Sequence, residues 1–204
     1  DGRRLAIAKG TCDPGEGAGP GGQCIVPTKA LGLILKLLAN AGETVTVAIT
    51  ENQILFGFDE FDKGEGTVVA SNLVEGTFPP YEDVVPKDQD KRARLSVDVL
   101  SSAVRRAALL TNEESRGVRM AFSKESGLKL SSRSPEMGEA EIEVAVAGYE
   151  GGDIEVGFNP AFITEALKVI PGDEVIFELK SGNKPGLIKA GSDFVYVVMP
   201  VNLQ

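Results

Sequence analysis

The sequence contains no histidine and no tryptophan, and only 2 of its 204 residues are cysteine. Without histidine it lacks the side chain most often used for general acid–base catalysis and metal binding near neutral pH. It also has no Gly-x-Ser-x-Gly elbow, no phosphate-binding loop ending in Gly-Lys-Ser/Thr and no metal-ligand cluster. These absences argue against the common catalytic centres, and we expect no metal and no cofactor.

Long apolar runs are absent too. No stretch of about eighteen apolar residues occurs, so the sequence predicts no membrane span and no membrane partner. No basic segment followed by an apolar leader opens the chain, so nothing argues for export. Cys12 and Cys24 flank a loop rich in Gly and Pro. A disulfide could close this loop, but free thiols in a reducing cytosol are the favoured interpretation.

The charge of the chain is unevenly distributed. Its formal net charge is −9, which taken globally argues against nucleic acid binding. Between Glu51 and Asp90, however, ten acidic residues are opposed only by Lys63 and Lys87. The segment 27–40 contains two lysines and no acid. The acidic charge is therefore separated from at least one basic helix.

Three segments share a plan of one helix followed by three strands. Apolar spacing predicts helices over 26–39, 98–110 and 160–170. Pro27 suits the first helical position, whereas Asp98 and Asn159 suit N-caps, the latter followed by Pro160. Such a unit cannot bury its helix alone, so we expect the second and third helices to pack side by side.

The predicted strands are Thr44–Ile49, Gln53–Phe58, Thr67–Leu73, Gly117–Ser123, Gly127–Ser132, Ala140–Val146, Glu174–Leu179, Gly186–Ala190 and Phe194–Val201. Pattern alone indicates an α+β protein with an old duplication.

Five segments, in order along the chain, resemble the bacterial DNA polymerase III β subunit family, the sliding clamps. Any one of them is a weak signal, but five in the right order are specific. The resemblance covers the chain except for the loop at 12–24. The segments are Asp1-Gly-Arg-Arg-Leu5, Phe78-Pro-Pro-Tyr-Glu-Asp-Val-Val-Pro86, Leu110–Arg119, Gly157-Phe-Asn159 and Tyr196-Val-Val-Met-Pro200.

The resemblance implies an α+β DNA-clamp fold, in which repeated strand–helix–three-strand units place helices on an inner face and sheets outside. Residues 1–89 would be the second half of the middle clamp domain, and residues 90–204 a complete C-terminal domain. The chain starts at Asp1, which we interpret as the start of a fragment. The full-length protein would be a homodimeric ring, which this fragment is not expected to close.

The resemblance also implies a bacterial, cytoplasmic and non-catalytic processivity factor that encircles double-stranded DNA without reading its sequence. Its other partners would be the DNA polymerase III α subunit, the clamp loader and other polymerases or repair proteins, bound through short peptide motifs. Leu109 and Leu110 match positions at the seam between subunits. Basic residues on the predicted helices would face DNA, although each could also be an ordinary solvated side chain; they are Lys29, Lys36, Arg105, Arg106 and Lys168.

The family's peptide groove can be carried over position by position. Its centre is apolar, and Met199 suits it because a flexible thioether adapts to different ligands. Plain core packing is the alternative for Leu5, Val84 and Val198. The apolar character of segment 196–203 also leaves two alternatives open, a chain end packed into its own core or one wall of a groove. The carried-over walls are Gly2, Arg4, Leu5, Pro79, Val84, Asn159, Phe162, Pro185, Val198, Met199, Pro200 and Val201.

Four positions depart from the family pattern around this groove. Arg3 replaces a usual His, Asp83 and Asn202 stand where Arg is common, and Phe162 stands where Tyr is common. Two other classes of function remain open at this point. One is an enzyme of similar topology that uses clustered carboxylates. The other is a peptide-binding adaptor of clamp-like fold without a DNA role.

Overall fold

The computed structural model describes residues 1–15, 19, 21–39, 42, 44–60, 65–111 and 117–203, with only the backbone at 59, 60 and 65. The chain forms two compact units. The first unit comprises Asp1–Cys12 and Glu82–Gln204, and the second comprises Asp13–Tyr81. These units do not coincide with the predicted domains 1–89 and 90–204, which were assigned from the family resemblance and remain a prediction.

Three helices and thirteen strands are described. The helices are α1 (Thr28–Leu38), α2 (Val97–Ala108) and α3 (Pro160–Leu167), and a short 3₁₀ helix covers Tyr81–Asp83. None of these helices is long and apolar enough to cross a membrane. The strands are β1 (Arg4–Ala8), β2 (Val45–Ile49), β3 (Gln53–Glu60), β4 (Glu65–Asn72), β5 (Lys91–Ser96), β6 (Val118–Ser123), β7 (Gly127–Ser134), β8 (Gly138–Val144), β9 (Gly148–Glu150), β10 (Ile154–Phe158), β11 (Glu174–Leu179), β12 (Gly186–Ala190) and β13 (Phe194–Val198).

The second unit is one helix on one sheet. Strands β2, β3 and β4 form an antiparallel meander, and α1 packs on it. Its core is small: Ile34 of α1 is buried with Phe58 and Val69, and a few half-buried apolar side chains surround them. Other leucines of α1 remain exposed, among them Leu35 at 69%.

The first unit holds the main core. Its larger sheet is antiparallel with strand order β1-β13-β12-β11-β5-β9, and its smaller sheet has the order β10-β6-β7-β8. Helices α2 and α3 pack against each other, which confirms the predicted pairing of the second and third helices. Apolar residues of both helices and both sheets form one cluster, including Leu100 of α2 and Ile163 of α3.

Aromatic side chains fill the middle of that core. The Phe177 ring lies between Phe122 and Phe158, with ring centroids 5.8 Å and 5.5 Å away. Gly186 makes room for this arrangement, because an added Cβ would lie 2.9 Å from Cζ of Phe158 and 3.0 Å from Cε1 of Phe177. A larger residue at this position of β12 would displace the rings that join the two sheets.

The N-terminal caps predicted from the sequence agree with the structure at α3 but not at α2 or α1. Asn159 is confirmed as the N-cap of α3, since its Oδ1 accepts a hydrogen bond from the Ala161 amide at 2.9 Å. The predicted cap Asp98 is wrong: α2 begins at Val97, and the Ser96 Oγ accepts from the Val99 amide at 3.5 Å. The helix starts earlier because β5 runs directly into it. Pro27 was predicted as the first residue of α1, but it is the N-cap, and the helix begins at Thr28.

All nine predicted strands are present, with bounds within two residues except at the end of β13. That strand ends at Val198 and not at Val201, because the Val201 amide leaves the ladder and donates to the Gly157 carbonyl. Similarly, α3 ends at Leu167 and not at 170. The other four described strands had no predicted bounds. Three of them, β1, β5 and β10, are the strands that precede the helices in the expected strand–helix–three-strand units, whereas β9, which pairs with β5, was not expected. Cys12 is exposed and Cys24 is half-buried, and the two are not bonded to each other; their free-thiol state stays a prediction.

Candidate functional site

The site is built around β13, which lies between β1 and β12 in the larger sheet. The strand register places Leu187 of β12 opposite Val197, and Val197 opposite Leu5 of β1. Directly paired residues point to the same side of a sheet. These three apolar side chains therefore form a row, which we call the apolar row. It lies on the sheet face turned away from α2 and α3.

The neighbouring residues of β13 point the other way. Phe194, Tyr196 and Val198 belong to the core beneath the helices, and Val198 is fully buried. Val198 was predicted as a groove wall, but its side chain packs in the core beneath the helices. Val197 is the residue that lies beside Leu5, and it was not among the predicted wall residues. The two-residue period of a strand could have revealed it, since Leu5 and Val198 cannot share a face in this register.

After β13 the chain is attached on both sides. The Met199 amide donates to the Arg3 carbonyl at 2.9 Å, and the Val201 amide donates to the Gly157 carbonyl at 2.8 Å. Leu203 packs over Gly157, where an added Cβ would lie 2.5 Å from its Cγ. Yet Met199 remains 39% exposed. The segment is thus packed at Val201 and Leu203, as the alternative of a tucked end predicts, while Met199 offers an apolar side chain to solvent and its role as a groove wall stays a prediction.

The start of α3 supplies the polar edge of the site. Asn159 is occupied as the helix cap, and Phe162 is half-buried one turn into the helix. The Arg4 guanidinium lies over the Phe162 ring, with Cζ 4.4 Å from the ring centroid. Arg4 also forms an ion pair with Glu165 of the same helix and contacts Asp1 at 3.3 Å.

This arrangement affects two titrating groups. Hydrogen bonding to Glu165, followed by contact with Tyr196, raises the pKa of the Arg4 guanidinium. Burial raises the pKa of the Tyr196 hydroxyl, and the nearby Arg4 cation only partly opposes this shift. No described residue forms a hydrogen bond of good geometry with that hydroxyl. Arg4 thus remains a fixed cation between β1, α3 and β13.

The other predicted wall positions differ in placement. Gly2 lies in the turn before β1, and Val84 is 50% exposed. Pro185 is half-buried, and its carbonyl accepts a hydrogen bond from the Gln89 side chain at 2.8 Å. Pro79 belongs to the second unit and is exposed. Pro200 and Val201 are half-buried; the departures Arg3, Asp83 and Asn202 are all exposed.

The five predicted DNA-facing residues are all exposed, and none forms an ion pair with a described acid. Arg105 and Arg106 lie in the last turn of α2, and Lys168 follows α3 directly. The Arg105 guanidinium donates to the Ser101 carbonyl and hydroxyl of the preceding turn. Lys29 and Lys36 lie on α1 in the second unit. The predicted seam residues Leu109 and Leu110 follow α2, and Leu109 is 72% exposed.

The carboxylates offer little support for a catalytic centre. Within the described ranges, no group of three or more Cys, Asp and Glu side chains could hold a metal ion. Glu178 is the one acidic side chain described as buried, and it is neutralised by Arg92 at 3.1 Å and Lys189 at 2.6 Å. These two ion pairs join neighbouring strands of the larger sheet and are a structural feature of it. The alternative of a carboxylate enzyme therefore has no supporting site in the described structure.

Paired helices on antiparallel sheets make the first unit an α+β fold, and the solved sliding-clamp structures that superpose on this chain define the class as the DNA-clamp fold. The family model for the C-terminal domain of the DNA polymerase III beta subunit matches residues 82–202, and the model for the central domain matches residues 1–80. The chain belongs to the DNA polymerase III β subunit, or β sliding clamp, family.

Individual relatives agree with this assignment. The beta sliding clamps of Escherichia coli K12 and Salmonella typhimurium are each 34% identical, over the whole of this chain and 53% of theirs. The chain thus spans about half the length of the curated relatives it matches. The C. crescentus clamp structure superposes with a TM-score of 0.88 at 32% identity, covering all of this chain and 52% of that one. A Pseudomonas aeruginosa clamp bound to griselimycin has a TM-score of 0.84 at 35% identity, covering 100% and 53%.

Proposed function

We propose that this chain is part of a bacterial, cytoplasmic sliding clamp, a non-catalytic subunit that keeps the replicative polymerase on double-stranded DNA. The family match along the whole chain carries this proposal. By the same relation, residues 1–89 form the second half of a middle domain and residues 90–204 the C-terminal domain. The partners would include the polymerase III α subunit, the clamp loader and repair proteins.

The peptide groove of the proposal is supported by the convergence of β1, β12 and β13 in the first unit. In their apolar row Leu187 and Val197 are buried and Leu5 is half-buried, so Met199 is the apolar side chain that is open to solvent at this place. The Arg4 guanidinium lies over the Phe162 ring at the start of α3. A few apolar side chains with a small number of placed polar groups form the kind of surface that binds short peptides. In the C. crescentus relative, polyethylene glycol is bound to a proposed β-motif tethering region of that protein.

The DNA role is supported by charge placed on helices. Phosphate contacts carry no sequence information, so a few exposed cations suffice for a protein that must slide. Arg105, Arg106 and Lys168 lie near the ends of α2 and α3, which pack against each other. Since a ring retains DNA by topology, the contacts themselves can be weak.

We expect the isolated chain to bind duplex DNA weakly, without sequence preference and with strong dependence on salt. Replacing Arg105, Arg106 and Lys168 together by Gln should lower the affinity and reduce the slope of log K against log salt by up to about 0.9 per lost contact. Fluorescence anisotropy at several salt concentrations would measure both quantities.

A matched control has the same change in net charge. Lys9, Lys87 and Lys124 are exposed residues of the first unit that make no ion pair with a described acid. Their joint replacement by Gln should leave the salt slope closer to that of the wild type. Equal effects of the two triple variants would contradict a DNA-facing role for the helix residues and favour the peptide-binding adaptor without a DNA role.

A polypeptide of these 204 residues is expected not to close a ring. A head-to-tail seam needs two different surfaces, and the chain covers only 53% of its full-length relatives. Light scattering coupled to size exclusion should give a monomer of 21.5 kDa or an open dimer. Stable retention of closed circular DNA by this polypeptide would overturn the expectation.

A further inference from the structure

Arg4, at the start of the edge strand β1, contacts two carboxylates and one aromatic ring. Its Nη1 donates to Oε2 of Glu165, its Nε donates to Oδ2 of Asp1 at 3.3 Å, and its Cζ lies over the Phe162 ring, 4.4 Å from the centroid. The Asp1 carboxylate is itself held, because its Oδ1 accepts from the Arg3 and Arg4 amides at 3.0 Å. The guanidinium is therefore oriented from two sides.

The geometry of α3 explains why Glu165 and Phe162 contact the same guanidinium. Phe162 and Glu165 are three residues apart on α3, so their side chains lie on the same face of the helix. Glu165 is half-exposed, whereas the Arg4 side chain is only 29% exposed. An arginine can pair with a carboxylate through its edge while stacking on a ring through its face. The pair thus links α3 to β1 across the polar edge of the candidate groove.

We propose that Glu165 is a positioning residue of the peptide groove, which holds the Arg4 guanidinium against the Phe162 ring and thereby fixes two walls before a peptide binds. This inference rests on the proposed peptide-binding function. Preformed walls reduce the conformational entropy that is lost when a peptide orders them. Without Glu165 the guanidinium keeps only its 3.3 Å contact with Asp1, so it can move away from the Phe162 ring.

The test compares Glu165→Gln with the wild-type chain in titrations of a fluorescein-labelled, glutamine-containing apolar peptide of the clamp-binding type. We expect the dissociation constant to rise about fivefold, since an exposed ion pair and a cation–π contact are each worth a modest factor. Glu165→Asp should recover part of the loss. The ¹⁵Nε–¹Hε resonance of Arg4 should shift and broaden in Glu165→Gln, which a purely structural effect on the fold would not require.

A matched control lies on β10. Glu155 forms an equivalent ion pair with Arg119, and its side chain is 52% exposed against 53% for Glu165. Glu155→Gln removes the same charge and should leave the affinity within a factor of about two. In an Arg4→Met background, Glu165→Gln should have no further effect, because the two substitutions then remove one shared interaction.

The outcomes separate this inference from the proposed function. If Met199→Asp abolishes binding but Glu165→Gln behaves like Glu155→Gln, the positioning role is wrong and the groove stands. If Glu165→Gln weakens binding equally with and without Arg4, the positioning role is also wrong, since Glu165 would act on the peptide directly. If the wild-type chain does not bind the peptide, or binds it equally well with Met199→Asp, the proposed groove itself fails.

Discussion

Replacing Met199 by Asp is expected to abolish binding of a clamp-type peptide while leaving the fold intact. Met199 follows β13 and is 39% exposed beside the apolar row formed by Leu5, Leu187 and Val197. A bound peptide would bury a carboxylate at this position without a partner, at a cost of several kcal/mol. Starting from a micromolar affinity of roughly −8 kcal/mol, a loss of about 3 kcal/mol weakens binding more than 100-fold.

Fluorescence anisotropy or calorimetric titration would measure this change. Met199→Leu should retain most of the affinity, because it keeps an apolar side chain of similar volume. Met137 offers a matched control, since it is 61% exposed on the connection between β7 and β8. Met137→Asp should bind as the wild type does. Indifference of the affinity to Met199→Asp would place the peptide elsewhere; weak wild-type binding alone would not.

The largest expected effect on stability is that of Leu100→Ala. Leu100 is fully buried in α2, in the cluster that joins both helices to both sheets of the first unit. Truncating a buried leucine removes apolar contacts and leaves a cavity, which lowers the free energy of unfolding by about 2–5 kcal/mol. Urea denaturation followed by circular dichroism would measure this loss.

Leu109, the C-cap residue of α2, provides the control for this experiment. Its side chain is 72% exposed, so Leu109→Ala should change the free energy of unfolding by no more than about 0.5 kcal/mol. A comparable loss in both variants would mean that the burial of α2 differs from that described. Because Leu109 is also a predicted seam residue, the same variant is suitable for later assembly measurements in the full-length context.

Local signals in the sequence were sufficient for most of the secondary structure. The 3.6-residue spacing of apolar residues predicted all three helices, and the cap at Asn159 correctly located the start of α3 at Pro160. At α2, where an acid and a serine both stand near the start, the local pattern indicated the wrong residue. The decision there depends on where β5 ends, which is a property of the sheet pairing Lys91–Ser96 with β11.

The candidate site depended on more than local pattern. Resemblance to a family supplied the proposed set of wall residues, but it did not distinguish which side chains of β13 belong to the core beneath the helices and which lie on the other face of the sheet. Val197 and Val198 are identical in type and adjacent in sequence, and only the pairing with β1 and β12 separates their roles. The same holds for Glu165, which no motif indicated and which acquires its partner from a strand 161 residues earlier.

By itself, the sequence determined the α+β class, the three helix-and-strand repeats, the family relation and the segments that are proposed to form the candidate site. These features follow from local periodicity and from short motifs, which are properties of neighbouring residues. Only the tertiary structure decided the register of the larger sheet, the burial of Val198, the exposure of Met199 and the stacking of Arg4 on Phe162. Those features bring distant segments together, and their energies depend on side-chain geometry that no local pattern contains.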